Sequence, residues 1–299
     1  MKIDLAVVPV AGLGTRLLPA TKSQPKEMLP VGRKPVVQHV VEELASSGVR
    51  RMLFVTGHGK GSIEDFFDVD QALVEFLRTR GKEDQLTALE FERNQVEYAY
   101  TRQREQLGLG HAVLCAAPFV TKEPFVVALG DSILGLNGDS RVVEQMVQVC
   151  HERNADVVVA FEELESPDEV VHYGIAQPGK SLGGDLFELT DVIEKPSVKE
   201  APSLLAVAAR YVFKPSIFDY LRKTERGKGN EIQLTDAMRA ILKDRPGSGI
   251  GIRLPKGQQR YDIGNFPSYF QAFIDFAASD PECGPMVRDH MRKILGQGG

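Results

Sequence analysis

The residues best equipped for chemistry stand near the start of the chain, where PVAGLGTRLLPATKSQPKEML leaves the apolar run Ile3–Val8. Gly12 and Gly14 open a loop that presents Thr15, Arg16, Lys22 and Lys26 in close succession. A strand ending in a glycine-bearing loop exposes backbone N–H groups, which can close around phosphate oxygens. The cations that follow can neutralise the same anion. This combination predicts a nucleoside triphosphate site, for which the remaining chain must supply a base reader, a metal ligand and a second substrate. The glycines alone leave an ordinary tight turn with a solvated basic loop as a competing reading. GLGTRL opens like the dinucleotide fingerprint, but Leu17 replaces the third glycine, and Pro19 and Pro25 prevent a prompt helix start. No GKS or GKT follows, so it is not a Walker A loop either.

Asp131 lies just beyond the apolar run Pro124–Leu129, at the carboxyl end of a strand, where ligands bind in open α/β sheets. A carboxylate there can hold Mg²⁺ against phosphate oxygens, and a turn or helix cap is its structural alternative. No Ser-His-Asp or Cys-His constellation is present. His111 sits at a predicted helix start and reads as structural rather than as a general acid.

The elements that must position these groups follow from periodicity. Ile3–Val8, Arg51–Thr56, Val96–Thr101, Pro124–Leu129 and Ala155–Glu162 read as strands, and Pro35–Ala45, Ser62–Phe67, a segment from about Leu109, and Asp139–His151 as helices. Strand–helix alternation predicts parallel strands with helical crossovers. Gln71–Glu92 reads as a polar, helix-like surface insertion. From Tyr173 the texture changes: Ile175–Gln177, Leu186–Ile193 and Leu205–Val212 follow one another without full crossovers, which predicts a small antiparallel extension holding a second ligand. Phe218–Arg222 and Leu234–Lys243 read as short helices, Gly249–Leu254 and Gln259–Asp262 as a final strand pair, and Pro267–Ala278 and Pro285–Leu295 as C-terminal helices. The fold class is therefore α/β, a Rossmann-like, mixed and mostly parallel sheet flanked by helices. We expect one domain over residues 1–299, with 1–170 serving the nucleotide, 171–265 the second ligand and 266–299 the closing helices. No internal repeat, and in particular no hexapeptide period, is present.

Bulk composition narrows the partners. The 299 residues are 42% hydrophobic and 26% charged, with 36 Lys plus Arg against 41 Asp plus Glu, a net charge of −5. This balance gives no electrostatic reason to expect nucleic acid, so a phosphate site must be a local concentration of cations. Cys115, Cys150 and Cys283 form no metal-ligand pattern and read as reduced thiols. No apolar run approaches the roughly 18–20 residues of a membrane span. The N-terminal run, interrupted by Asp4, is not built as a signal peptide, so the expected location is cytoplasmic. The amphipathic C-terminal helices could serve a homo-oligomer interface.

AGLGTRLLPATKSQPKEMLPV resembles the nucleotide-binding signature of sugar-1-phosphate nucleotidylyltransferases, and more narrowly that of the bacterial UTP–glucose-1-phosphate uridylyltransferases. The likeness continues in order through RQREQLGLGHAVLCA (102–116), ALGDSIL (128–134), HYGIA (172–176), VIEKPSVKEAPS (192–203), ARYVFKPSIFDYL (209–221) and GNEIQLTDAM (229–238). The resemblance implies attack of glucose 1-phosphate on the α-phosphorus of UTP, giving UDP-glucose and pyrophosphate with Mg²⁺ as cofactor. It also implies residue roles. Ala11, Gly12, Gly14 and Thr15 would hold the nucleotide, with Arg16 facing the departing pyrophosphate and Lys26 offsetting charge built up during attack. Gln103 and Gly108 would read the base: an amide carries both a donor and an acceptor, and the glycine would let backbone groups reach the ring. Tyr173 and Gly174 would line the hexose pocket, Glu194 would accept from sugar hydroxyls, and Lys195 would hold the sugar's phosphate. Asp131 and Asp262 would be the metal carboxylates. Glu231 receives no chemical role.

The chain also departs from that family's pattern. Gly130-Asp131-Ser132 stands where two adjacent aspartates are usual, closer to the GDN of thymidylyltransferases, and IGNFPSYF replaces the usual CGDKLGYL, leaving Asn265 where a carboxylate is expected. Thymidylyl transfer from dTTP is thus the nearest rival reading. A non-catalytic nucleotide-sugar-binding regulator is a second, against which the retained Arg16, Lys26, Asp131, Lys195 and Asp262 count. An NAD-binding oxidoreductase fails on the missing third glycine and acidic ribose reader.

Overall fold

The computed structural model describes residues 3–89 and 96–296. Its centre is a nine-stranded sheet whose order, edge to edge, is β5 (Glu97–Arg102), β4 (Arg51–Thr56), β1 (Leu5–Pro9), β6 (Phe125–Ala128), β11 (Leu205–Phe213), β8 (Val157–Glu163), β12 (Gly249–Arg253), β10 (Leu186–Glu194) and β9 (Gly174–Gly183). β5, β4, β1 and β6 are mutually parallel, and β12 is parallel to β8. β11 and β10 run against their neighbours, so the sheet is mixed, as expected. Two small antiparallel pairs lie apart from it: β2 (Pro30–Val31) with β3 (Lys34–Pro35), and β7 (Ser132–Leu134) with β13 (Arg260–Asp262).

Strands buried on both faces need apolar residues at every position, and β1 and β6 supply them. Their alternate side chains feed two cores. Ala6, Val8 and Val126 pack with α1 (Val36–Ser46), α2 (Gly61–Phe67) and α6 (Val142–Arg153) through Val40, Leu44, Ile63, Phe67 and Met146. Val7, Leu53 and Val127 pack on the other face with α5 (Leu109–Leu114), α7 (Ile217–Leu221) and α8 (Leu234–Asp244). A third cluster of Leu17, Val31, Ile133, Tyr261, Ile263 and Phe276 joins the loop after β1 to the β7–β13 pair and to α9 (Phe266–Ser279). The insertion after β4 comprises α3 (Gln71–Thr79) and α4 (Glu83–Thr87), and residues 90–92 of the range expected for it lie outside the described residues. Phe270 and Ile274 of α9, and Met286 and Leu295 of α10 (Gly284–Gly296), are exposed.

Two expectations are corrected. Leu205–Phe213 is antiparallel to its neighbours and pairs with β9 at Ala206, but it is not confined to the extension: it lies at mid-sheet between β6 and β8. All nine of its residues are buried, which an edge strand cannot achieve and a central one requires. Nor do the last two strands pair with each other: β12 enters the main sheet between β8 and β10, and β13 pairs with β7. Glycine explains the first placement, because a Cβ at Gly251 would stand 2.1 Å from Cζ of Phe187, whose ring closes over that position.

Candidate active site

β1, β4, β5 and β6 are parallel and end on one side of the sheet, and the predicted nucleotide residues follow those ends. After β1 the loop is not featureless, because single 3-10 turns form at Thr15–Leu17 and Lys26–Met28. Gly14 turns the first of them at φ 68, and Thr21 Oγ1 donates to the Gly14 carbonyl at 2.7 Å. The second sends neighbouring side chains to different partners. Glu27 goes inward to Lys60, whose Nζ donates to Oε2 at 2.8 Å with both groups buried. Lys26 reaches back beside Gly12, to within 3.8 Å of where a Cβ there would sit, and its Nζ donates to Asp131 Oδ2.

Asp131 occupies the turn between β6 and β7. The β7–β13 pairing sets Ser132 opposite Asp262, and Ile263 N–H donates to the Asp131 carbonyl at 2.9 Å. Two carboxylates 131 positions apart in sequence are thereby brought into one wall. Burial opposes the charge on Lys26, but Asp131, Glu27 and Asp262 outweigh it and hold the ammonium above its usual range. Burial likewise opposes the Asp131 anion, and Lys26 overcomes it, so that carboxyl is held low. Asp262 moves the other way: burial first, then the Asp131 charge, push it up against the pull of Arg260, Lys26 and Arg16.

A cleft of about 550 Å³ extends from this wall. Arg16, Asp131, Asp262, Tyr173, Gly174, Glu194 and Lys195 all line it. Lys195 Nζ lies 3.4 Å from Glu194 Oε1, and the Lys195 backbone is held in the left-handed region at φ 45 by its N–H bond to the Tyr173 carbonyl. The structure therefore brings together seven of the predicted site residues in one cleft.

Ala11, Gly12, Gln103 and Gly108 sit beyond it, at the ends of β1 and β5. Gln106 Nε2 ties the two loops by donating to the Ala11 carbonyl at 3.0 Å. Gly108 has a reason of its own to be glycine: φ is 92, and a Cβ would stand 2.6 Å from that of Glu231. Gln103 is buried, and its Nε2 donates to the Gly108 carbonyl at 2.9 Å.

Three side chains in the cleft received no role from the sequence. Arg260 is sealed among Glu162, which accepts from Nε at 2.6 Å, Asp262 at 3.8 Å, and the Tyr173 ring, whose centroid is 4.6 Å from Cζ. Strand alternation was the available signal, since Arg260 must face the same side as Asp262. Thr235 Oγ1 donates to Glu194 Oε2 at 3.0 Å. Glu231 reaches the cleft as well. Among the described residues no three His, Cys, Asp or Glu side chains gather as a metal cage, so a cation here would take two carboxylates and complete its shell with water and phosphate oxygens.

The fold is thus a mixed α/β sheet with a glycine-bearing loop and two carboxylates gathered at the carboxyl ends of its strands. The chain belongs to the nucleotidyl transferase family, whose family model matches residues 5–279. Within it, the chain is 43% identical to the UTP–glucose-1-phosphate uridylyltransferase YngB of Bacillus subtilis, over 98% of this chain and 96% of the relative. Among solved structures it is similar to a UTP-bound UGPase from Acinetobacter baumannii (34% identity, TM-score 0.86, 97% of this chain and 99% of that one). It is also similar to a UDP-glucose pyrophosphorylase complexed with UDP-glucose (37% identity, TM-score 0.81, 91% of this chain and 97% of that one).

Proposed function

We propose that this chain transfers the uridylyl group of UTP to glucose 1-phosphate, forming UDP-glucose and pyrophosphate. The observation that carries this reading is the one cleft lined by Arg16, Asp131 and Asp262 together with Tyr173, Glu194 and Lys195. The names of its full-length relatives support the same substrates.

The chemistry asks little of acid–base groups. The attacking phosphate oxygen is already ionised near neutral pH, so the obstacle is the meeting of two anions, and positioning with charge neutralisation dominates. Arg16, beside Asp262 and Gly264, faces the side from which pyrophosphate departs. Lys26 stands against Gly12, where the triphosphate would lie, and offsets charge that develops during attack. Lys195 holds the sugar phosphate while Glu194, oriented by Thr235, accepts from a hexose hydroxyl.

Asp131 and Asp262 are the pair that would hold Mg²⁺, which would supply charge neutralisation to the phosphates. Their environment fits a dication: Asp262 is desolvated beside a second carboxylate and is pushed toward its neutral form, a penalty that added positive charge relieves. Three unpaired cysteines, and no helix among the described residues long and apolar enough to cross a membrane, support a cytoplasmic setting. The apolar side chains that α9 and α10 expose support a homo-oligomer interface.

Pyrophosphate release tests the assignment, with UTP or dTTP, glucose 1-phosphate and Mg²⁺, with and without a chelator. UTP should be preferred and the chelator should abolish turnover. Release with dTTP alone defeats the uridylyl assignment, and silence with every triphosphate favours a regulatory protein. Lys195→Ala should raise the KM for glucose 1-phosphate far more than that for UTP; equal losses would place Lys195 on the wrong substrate.

A further inference from the structure

We infer that His111 is a positioning residue for pyrimidine selectivity, which acts with the Gly108 carbonyl to hold the Gln103 amide with its oxygen toward the base. The inference deepens the uridylyl-transfer reading and rests on its placement of the base at Gln103.

An amide side chain can present either a donor or an acceptor, and uracil and cytosine differ at the position such a group would test. Uracil carries a hydrogen on N3, whereas cytosine carries a lone pair there and an amino group at C4. A site that lets its amide turn over would accept both bases. In this protein the amide is held from two directions. The Gly108 carbonyl can only accept, so the end of Gln103 that lies 2.9 Å from it is the NH₂ group. The same nitrogen lies 3.1 Å from Nδ1 of His111. With Nε2 already a donor, Nδ1 must accept, which puts the imidazole proton on its other nitrogen.

Both amide hydrogens are thus committed to the protein, and Oε1 is left as the group available to a ligand. Among the described residues Oε1 takes no hydrogen bond, and it is not sealed from solvent. The expectation that Gln103 offers donor and acceptor together is therefore revised: it offers an acceptor, which matches N3–H of uracil and opposes the N3 lone pair of cytosine. A turned amide would set Oε1 against the Gly108 carbonyl, and His111 could keep a bond to it only by moving its proton to Nδ1.

The framework that holds His111 is itself pinned. His111 lies in the first turn of α5, and Gly110 N–H donates to the Ile232 carbonyl at 2.9 Å. Ile232 N–H in turn donates to the Leu107 carbonyl at 2.7 Å. The base-reading loop and the segment that lines the sugar side are stitched together on either side of Gly108.

The test compares UTP, CTP and dTTP as substrates for the wild-type protein and for His111→Ala, His111→Asn and Gln103→Leu. His111→Ala should lower the UTP:CTP ratio of kcat/KM roughly five- to tenfold, the worth of one ordinary hydrogen bond, chiefly through KM for UTP. His111→Asn, whose Oδ1 can accept where Nδ1 did, should restore the ratio to within about twofold. The dTTP:UTP ratio should stay put throughout, because thymine shares the N3–H edge. A structural role alone would lower all three substrates together and leave the UTP:CTP ratio unchanged, which overturns the proposal. Gln103→Leu separates the two levels: a relaxed ratio there with an unchanged one in His111→Ala removes the role of His111 only. Unchanged ratios in both place the base elsewhere.

Discussion

Two cation–carboxylate pairs stand on either side of the turn that carries Asp131, and they differ in what their cations have left to give. Arg210 and Glu43 lie behind the turn and are fully buried. Arg210 donates to Glu43 Oε2 from Nε at 3.1 Å and Nη2 at 2.6 Å, to the Ala209 carbonyl from Nη1 at 3.1 Å, and to the Ser132 carbonyl from Nη2 at 2.9 Å. That guanidinium is committed to the protein, and through Ser132 it fixes the backbone next to Asp131. Lys26 and Asp131 stand in front, in a wall that solvent reaches. Lys26 Nζ makes one hydrogen bond among the described residues, so two of its three hydrogens are available to a phosphate. The same charge types thus serve as a brace on one side of the turn and as a binding group on the other.

The largest expected effect breaks the brace. Arg210→Ala would strand a buried carboxylate whose pKa burial already raises, and should cost about 3–5 kcal/mol of stability, read from chemical denaturation. Replacing both partners together, Arg210→Met with Glu43→Leu, should recover most of that loss, because no uncompensated charge stays behind. A loss for Arg210→Ala no greater than that of an exposed ion pair would dissolve the distinction drawn between the two sides.

Lys26→Ala should do the reverse. Turnover should fall on the order of 10²–10³ as a group that acts on developing charge is removed. The melting temperature should fall by clearly less than in Arg210→Ala, since Asp131, unlike Glu43, keeps some access to solvent in the cleft wall. A variant that melts much earlier yet turns over normally would show Lys26 to be a second brace.

This contrast also explains what could be read in advance. Strands, crossovers and the Gly12–Lys26 loop announce themselves through local pattern, as does Asp131 at the end of an apolar run. The partnership of Asp131 with Asp262 depends on β7, a three-residue strand too short to carry a period, so pattern alone could not show it. The misplacement of Leu205–Phe213 has a similar origin: the lack of a helical crossover pointed to an extension, while an unbroken apolar run pointed to the sheet centre, and burial decided it. Lys60 and Lys26 are the same residue type, yet Lys60 is the sealed partner of Glu27 while Lys26 stands with Asp131 in a wall that solvent reaches. Nothing in the residue type separates them. The single 3-10 turn that sends Glu27 inward and Lys26 to Asp131 does.

The smallest expected effect concerns a carboxylate of intermediate kind. Glu194 lies in the cleft wall like Asp131, but one of its oxygens accepts from the neutral hydroxyl of Thr235 while the other lies 3.4 Å from an ammonium. If open pairs serve the ligand, loosening Glu194 should alter substrate use before it alters stability. Thr235→Val removes the hydroxyl at nearly constant shape and frees one carboxylate oxygen to rotate. The KM for glucose 1-phosphate should rise about three- to tenfold, the worth of one ordinary hydrogen bond, with KM for UTP unchanged. The cost in stability should stay near 1 kcal/mol, because the bereft oxygen of Glu194 can still meet water in the cleft. A fall in stability of brace size, with sugar-phosphate use intact, would move Glu194 to the sealed class and leave Lys195 as the sugar side's ligand group.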